Sequence, residues 1–267
     1  MMRALLPVVV VALAVVACDS FSGSEVPALT DAGDVLKDAG APATDAGLPD
    51  VATPDAADAD AAPPVASCAP KHLFCDDFSD PSLGAKWSGR SDEAGPLSLA
   101  STVVGVAAPS LRVDVAPGSI TRATYLERTF DAAQRMTVGV SIAFTRGDSP
   151  TGVYDGDVGL VTLELFPLPE GSSRYIVALV ARPSGELVLQ DQALGTHLVG
   201  SLGPAMTRVV LDLDIGAGSV RASNGPVNVQ APTAKAMSSG QRLRIGAPYA
   251  SNRTGAYVVH FDDVTVE

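Results

Sequence analysis

The sequence predicts an all-β fold, a two-sheet antiparallel β-sandwich of the jelly-roll type, preceded by a disordered linker. Three observations lead to this prediction. Residues 68–267 contain many short segments with apolar residues at alternate positions, and turn residues separate them. No segment of that region sustains a helical period. Residues 18–67 are rich in Ala, Asp and Pro and poor in large apolar side chains, which is typical of disordered chains.

The alternation is clearest in two segments, 110–115 and 208–215. Each has apolar residues at every second position and mostly charged residues between them. This pattern is typical of antiparallel strands with one buried face. So many strands in a single region favour one domain built from two packed sheets. The predicted strands are Thr102–Val106, Ser110–Val115, Ala123–Phe130, Thr137–Phe144, Gly159–Leu165, Arg174–Ala181, Glu186–Gln190, Arg208–Asp214, Val220–Ser223, Gln241–Ile245 and Tyr257–Val266.

Residues 1–17 have the features of a signal peptide. Arg3 precedes an apolar run that ends at Ala17, and this run is shorter than the ~20 residues needed to span a bilayer. The run ends in Val-Val-Ala before Cys18, which resembles the bacterial lipobox. The resemblance implies that Cys18 is lipidated and that residues 1–17 are removed. The alternative is an ordinary signal peptide followed by a chance cysteine.

Several acyl chains on one residue give stable membrane anchoring. We therefore expect a lipid-anchored protein of the cell envelope, on its periplasmic or outer-surface face, with the lipid bilayer as partner through Cys18. The linker, residues 18–67, holds ten acidic residues and one base, so it carries most of the net charge of −12. Like charges and prolines extend such a segment and hold the following domain away from the membrane. No segment is basic, which excludes nucleic acid as an expected partner.

The chain has three cysteines, an odd number for an exported protein. If lipid occupies Cys18, Cys68 and Cys75 remain as a pair, separated by seven positions. An oxidising compartment allows them to form a disulfide. We therefore predict a disulfide that fastens the end of the linker to the first strand of the domain.

Several motifs of residues 68–267 follow one another in a recognisable order. They are Phe-Cys-Asp-Asp-Phe at 74–78, Trp87, Arg-Tyr-Ile-Val-Ala at 174–178, Gly-Glu-Leu-Val-Leu at 185–189, Thr-Arg-Val-Val-Leu-Asp-Leu-Asp at 207–214, Val-Arg-Ala-Ser-Asn-Gly at 220–225, Leu-Arg-Ile-Gly-Ala at 243–247 and His-Phe-Asp-Asp-Val-Thr-Val at 260–266. This order resembles the laminin-G-like jelly rolls of the concanavalin A-like lectin/glucanase superfamily. The resemblance implies two curved antiparallel sheets and a sugar or protein ligand.

The sequence gives no catalytic residues. Glycosidases of the resembled superfamily use a Glu-x-Asp-x-x-Glu motif, because a retaining mechanism needs two close carboxylates. That motif is absent, and the nearest match, Asp212-x-Asp214, is typical of a solvated strand face. The histidines are scattered and no serine-hydrolase or zinc-protease motif occurs. We therefore expect that the protein is not an enzyme.

Sugar-binding faces usually present aromatic rings, and Tyr154 and Tyr249 lie in Gly- and Pro-rich segments where we expect them to be exposed. They are the candidate ligand-binding residues. The sequence thus favours a non-catalytic binding module for glycan or a surface protein. The alternatives are a structural or interaction lipoprotein without a small ligand and a degenerate or unusual glycoside hydrolase.

No cofactor is expected apart from a structural calcium ion. The first and last strands of a jelly roll tend to be neighbours, which would bring Asp76 and Asp77 near Asp262 and Asp263. Apolar residues of the last strand occupy odd positions up to Phe261 and even positions afterwards. One extra residue therefore predicts a β-bulge at the second aspartate pair. Carboxylate and carbonyl oxygens there could bind calcium, and solvation or pairing with basic side chains is the alternative.

Overall fold

The computed structural model describes residues 68, 71–101, 103, 109–147, 156–167, 175–191, 195–233, 238–251 and 253–267. The predicted signal peptide, Cys18, the linker up to Ser67 and Tyr154 lie outside the described residues. The described part of the chain forms strands and turns, and no helix in it is long and apolar enough to cross a membrane.

Fifteen strands are present in the described part of the chain. Their bounds are β1 Phe74–Asp76, β2 Gly89–Asp92, β3 Leu97–Ala100, β4 Ser110–Val115, β5 Arg122–Asp131, β6 Arg135–Arg146, β7 Val158–Pro167, β8 Tyr175–Ala181, β9 Glu186–Asp191, β10 Gly195–Ser201, β11 Thr207–Asp214, β12 Ser219–Asn224, β13 Val227–Pro232, β14 Ser238–Ala250 and β15 Tyr257–Val266.

The strands form two antiparallel sheets. Sheet A has the order β13-β12-β11-β6-β15-β4-β3, and β1 also pairs with β15. Sheet B has the order β10-β9-β8-β7-β14-β5-β2. One continuous apolar core contains residues from both sheets. The predicted two-sheet antiparallel sandwich is therefore confirmed.

The core is built by the alternation seen in the sequence. In β4, Leu111, Val113 and Val115 are almost completely buried, and the charged residues between them are partly exposed. In β11, Val209 and Leu213 show the same burial and alternate with charged side chains on the outer face. Removing apolar surface from water on this scale is the main force that stabilises such a sandwich.

Most predicted strands coincide with observed ones, and Tyr257–Val266 has the predicted bounds. Of the predicted strand Thr102–Val106, the structure describes only Val103. Five further strands were not predicted, namely β1, β2, β3, β10 and β13. Three of these have only three or four residues, β10 lacks a clear apolar alternation, and β13 alternates but is mostly exposed.

The first and last strands are neighbours, as expected. Asp76 of β1 pairs with Val264 of β15 in an antiparallel register. The register between β15 and β6 shifts between Asp262 and Thr265, and Asp263 has a φ of 50°. The bulge predicted from the change of phase in the sequence is therefore present.

Candidate functional site

A cleft of about 380 Å³ opens on the outer face of sheet B. The outer face is the one turned away from the core that the two sheets share. Side chains from β7, β8, β9 and β14 line the cleft, and their types combine apolar surface with charged and amide groups. The lining residues are Thr162, Glu164, Ile176, Ala178, Gln190, Arg244, Pro248 and Tyr249.

The floor of the cleft is a row of residues that runs across four strands. Thr162 of β7 pairs with Arg244 of β14 on one side and with Ala178 of β8 on the other. Ala178 pairs in turn with Gln190 of β9. Because directly opposite residues of an antiparallel sheet point to the same face, these four side chains lie side by side. The short Thr162 and Ala178 leave a depression between the longer side chains at the two ends.

Tyr249 faces the cleft because β14 contains a bulge. Leu243 and Ala247 of this strand face the core, and so does Ala250, although strict alternation would place Ala250 outside. The register with β5 shifts between Ala247 and Ala250. The shift reverses the alternation and places Tyr249 on the outer face. An extra residue in a strand commonly redirects a side chain in this way.

The local sequence around this bulge suits the irregular backbone. Gly246 has a φ of 125°, and a Cβ there would lie 2.6 Å from the carbonyl oxygen of Thr124. Glycine alone accepts both the conformation and the close contact without strain. Pro248 has no N–H to donate to a neighbouring strand, which is tolerated at bulges.

The ring of Tyr249 packs against the sheet over a glycine. A Cβ on Gly159 would lie 2.5 Å from the ring, so only glycine leaves room for it. The ring packs against a small apolar patch formed by Ala178, Val180 and Val188. Its hydroxyl donates a hydrogen bond to Oε1 of Gln190 at 2.7 Å. Burial, together with the charge of Asp157, raises the pKa of Tyr249 far above its usual value, so the phenol stays protonated.

Two arginines and two glutamates form a charge network beside the cleft. Nε of Arg244 lies 2.8 Å from Glu127, and one of its Nη atoms lies 3.5 Å from Glu164. Arg242 contacts the same two carboxylates at 3.3 and 3.5 Å. Glu164 is only 2% exposed. The network is formally neutral, which makes the burial of its charges tolerable.

Aromatic rings hold the two guanidinium groups in place. Arg244 lies over Tyr125 at 4.7 Å from the ring centroid, and Arg242 lies over Phe166 at 4.5 Å. Cation–π contacts of this kind orient arginine side chains. Arg244 therefore presents its remaining Nη donors to the cleft in a fixed position.

Of the two candidate ligand-binding tyrosines, the structure describes only Tyr249. Tyr154 lies outside the described residues. Tyr249 does line the cleft, but it belongs to strand β14 and not to a loop. The sequence alone did not identify Arg244, Glu164 or Gln190. Their only signal is a polar side chain at alternate positions of an apolar strand, which is also the pattern of a solvated face.

The predicted disulfide is confirmed. Cys68 and Cys75 are bonded, with their Cα atoms 5.4 Å apart. Because Cys75 belongs to β1, the bond joins Cys68, the first residue after the predicted linker, to sheet A. Lipidation of Cys18 stays a prediction.

The four aspartates of the predicted calcium site lie near the paired ends of β1 and β15, but they are already engaged. Asp76 accepts hydrogen bonds from the indole Nε1 of Trp87 at 2.7 Å and from the Phe78 amide at 3.1 Å. The ammonium of Lys86 lies 3.3 Å from Asp76 and 3.9 Å from Asp77. This cation occupies the position in which a metal would neutralise the carboxylates.

Asp262 and Asp263 complete the set. Burial, and the charges of Asp263, Asp77 and Asp76, raise the pKa of Asp262 to about 7. The backbone carbonyl of Asp263 accepts a hydrogen bond from Arg208. In the described part of the chain, no three Asp, Glu, His or Cys residues are arranged to hold a metal. Calcium binding stays a prediction that melting with calcium and with chelator would test.

No protein-family model and no curated protein sequence matches the chain. Solved structures with a similar fold do exist, all at low sequence identity. The cellulose-induced protein Cip1 is 14% identical, with a TM-score of 0.53 over 73% of this chain and 96% of that chain. A carbohydrate esterase from the Shiga toxin-encoding bacteriophage phi24B is 10% identical, with a TM-score of 0.47 over 73% and 97%. The marine PL7 alginate lyase AlyA1 from Zobellia galactanivorans is 10% identical, with a TM-score of 0.44 over 59% and 77%.

The expectation that the protein is not an enzyme is wrong as an exclusion. It rested on scattered histidines and on the absence of glycosidase, serine-hydrolase and zinc-protease motifs, and structures similar to this one include alginate lyases and a carbohydrate esterase. The absence of those motifs therefore does not exclude catalysis. Fold and comparisons together show a two-sheet antiparallel β-sandwich, a fold that this chain shares with Cip1.

Proposed function

We propose that this protein binds carbohydrate in the cleft on the outer face of sheet B. One observation carries the proposal: the ring of Tyr249, the guanidinium of Arg244 and the amide of Gln190 all line the same cleft. A sugar has apolar C–H faces and a rim of hydroxyl groups. A site that binds it therefore needs a flat apolar surface next to directed hydrogen-bonding groups.

The apolar surface is supplied by Tyr249 and the residues around it. Ala178, Val180 and Val188 pack beside the ring, and Ile176 lines the opposite end of the cleft. Leu198 of β10 pairs with Val188 and is 56% exposed, which extends the apolar patch toward the edge of the sheet. The patch is long enough for a ligand that extends beyond the cleft.

The polar groups have hydrogen-bonding capacity left over. Gln190 accepts from the Tyr249 hydroxyl through Oε1, which leaves its NH₂ group as a donor. Arg244 has five N–H donors, and its close contact to Glu127 uses only Nε. Sugar hydroxyls can accept hydrogen bonds from both side chains.

We propose that this binding takes place in the cell envelope, on its periplasmic or outer-surface face. The lipobox-like sequence before Cys18 and the acidic linker support a lipid-anchored protein of the cell envelope whose domain faces glycans. The disulfide between Cys68 and Cys75 supports an oxidising compartment. Mass spectrometry of the membrane fraction tests the anchor. An acylated N-terminal Cys18 is expected, and a soluble protein with an unmodified Cys18 would contradict it.

The cleft is tested by glycan-array binding of the purified full chain. Tyr249→Ala and Arg244→Gln should each lower the affinity for a bound glycan by about tenfold or more, since each removes contacts worth at least 1.4 kcal/mol. Tyr249→Phe keeps the ring and separates stacking from hydrogen bonding. Arg112→Gln, on the outer face of sheet A, is the matched control and should bind normally. Loss of binding in the control, or normal binding by both cleft variants, would refute the site.

A second candidate function is a reaction on the bound carbohydrate. The supporting observation is that Glu127 and Glu164, on the two strands that flank β14, both contact Arg244. Paired carboxylates can transfer protons in glycan chemistry. Incubating the full chain with a glycan that it binds, and measuring new reducing ends or unsaturated products, tests this candidate. Glu164→Gln should abolish any turnover that depends on the pair.

A further inference from the structure

A second recess lies on the opposite side of the molecule, on the outer face of sheet A. It has a volume of about 230 Å³ and is formed by β6, β11, β12 and β13. We call it the sheet A groove. Polar side chains dominate its lining, which consists of Arg135, Thr137, Val210, Asp212, Arg221, Ser223 and Asn228.

The register explains why these side chains converge. Asp212 of β11 pairs with Thr137 of β6 on one side and with Arg221 of β12 on the other. Ser223 of β12 pairs with Asn228 of β13. All of them alternate with core residues, so all point outward.

The one acidic residue of the groove is already neutralised. The carboxylate of Asp212 accepts two hydrogen bonds from Arg135, at 3.0 and 2.8 Å, and one from the Thr137 hydroxyl at 3.1 Å. Arg135 is the main cause that holds the pKa of Asp212 below its usual value. Asp212 therefore stays ionised and is fully engaged with its neighbours.

Arg221 differs from the other arginines of this face. It is exposed, and in the described part of the chain its guanidinium makes no hydrogen bond and no close ion pair. Its charge only contributes to lowering the pKa of Asp212 from a distance. With Arg135 and Asp212 cancelling each other, the groove carries a net charge of about +1 from Arg221. It does so in a protein whose net charge is −12.

Two neutral side chains beside Arg221 also have unused hydrogen-bonding groups within the described residues. Ser223 lies two positions further along β12, and Asn228 lies directly across from Ser223. Neither side chain has a hydrogen-bond partner within the described residues. Opposite side chains on one face have Cβ atoms about 5 Å apart. One unpaired guanidinium, one hydroxyl and one amide therefore face the same small space.

We propose that the sheet A groove binds an anionic sugar unit, with Arg221 holding its carboxylate or sulfate group. A guanidinium binds planar or tetrahedral oxyanions through two parallel N–H donors. Ser223 and Asn228 supply hydrogen bonds to ring hydroxyls. The groove is smaller than typical pockets for drug-sized ligands, and its size suits a single ring. This site is separate from the cleft on sheet B, so the protein would hold glycan at two faces.

The test is a titration of the isotope-labelled full chain, followed by NMR, with four probes. D-Glucuronate and glucose 6-sulfate carry both the ring and the anion, acetate carries only a carboxylate, and glucose carries only the ring. The two anionic sugars should shift resonances of β12 and β13 and bind at least about tenfold more tightly than acetate or glucose. Equal binding of acetate would reduce the groove to a nonspecific anion site and overturn the proposal. Equal binding of glucose would also overturn it.

Variants locate the effect. Arg221→Gln should weaken binding of the anionic sugars by about tenfold or more, because it removes the unpaired charge of the sheet A groove. Arg90→Gln removes the same charge from β2 of the opposite sheet and should leave the titration unchanged. Tyr249→Ala tests independence from the proposed cleft, and it should leave groove binding intact. If Arg221→Gln titrates like the wild type, Arg221 is not the anion contact and the proposal is wrong.

Discussion

The two outer faces of the sandwich carry their charges in different ways. On sheet A, Arg112 pairs with Asp114 two positions along the same strand, and both side chains are about one-third exposed or more, at 41% and 34%. On sheet B, Arg244 and Glu164 come from different strands and are 20% and 2% exposed. The Arg112–Asp114 pair is screened by water, whereas the sheet B network is packed between aromatic rings. Arginine and an acidic residue therefore form an exposed pair on sheet A, whereas on sheet B they form a buried network that lines the cleft.

The largest effect expected from this difference concerns Glu164. Glu164→Gln keeps the shape but leaves two partly buried guanidiniums with one carboxylate between them. It should lower the free energy of unfolding by about 2–3 kcal/mol. Asp114→Asn on sheet A removes the same charge from an exposed pair and should cost about 0–1 kcal/mol. Urea denaturation of both variants measures the difference. Equal losses of free energy of unfolding would show that the buried pair on sheet B stabilises the fold no more than the exposed pair on sheet A.

The next effect concerns the two glycines that lie under long side chains. Gly159→Ala on sheet B places a methyl group 2.5 Å from the packed ring of Tyr249 and should cost about 1–2 kcal/mol, since the ring cannot move without losing its contacts. Gly139→Ala on sheet A meets the flexible end of Arg208 at 2.2 Å. We expect its cost to be smaller. Thermal unfolding of both variants checks the order, and a larger loss for Gly139→Ala would contradict it.

A third effect is the pH dependence created by Asp262, which belongs to the outer side of sheet A. Its pKa is raised from 3.8 to about 7 by burial. Between these two values the folded protein keeps a proton that the unfolded chain has lost. The contribution of this group to stability therefore falls as pH rises through the window and stays at its minimum above it.

Asp262→Asn removes that dependence. In the presence of chelator, the variant should match the wild type near pH 4 and exceed it above pH 7 by about 1–2 kcal/mol. Melting curves at several pH values measure the crossover. A variant that is less stable than the wild type at pH 8 would show that the ionised carboxylate is stabilised in the fold.

The smallest effect belongs to Arg112 itself. Arg112→Gln should change the free energy of unfolding by at most about 1 kcal/mol, and added salt should reduce the difference further because the pair is exposed. Urea denaturation at low and high ionic strength makes the comparison. A loss of free energy of unfolding that exceeds about 1 kcal/mol and does not depend on salt would show that Arg112 is held in a buried pair, like Arg242 and Arg244 of sheet B.

The sequence predicted the sandwich and the bulge in β15 because both follow from local alternation. The facing of Leu111, Val113 and Val115 depends only on a period of two, and the change of phase after Phe261 is visible in a few residues. The disulfide followed from counting cysteines. Short strands such as β1 were missed because three residues cannot display a period.

The cleft could not be predicted in the same way. Arg244, Thr162 and Gln190 are far apart in sequence and become neighbours only through the strand order β9-β8-β7-β14. Alternation shows that each side chain faces outward, but it does not show which strands are adjacent. For the same reason, the unpaired state of Arg221 in the sheet A groove depends on which residue lies opposite it.

The bulge in β14 has a consequence for how this protein can vary. Core-facing residues of β14 occupy odd positions up to Ala247 and an even position at Ala250. The strand can therefore change by one residue at this point and keep the same side chains in the core. Deleting Pro248 would keep both Arg244 and Tyr249 on the outer face, because removing the extra residue restores strict alternation. At the bulge the strand can therefore lose one residue beside the cleft while Leu243 and Ala250 still face the core.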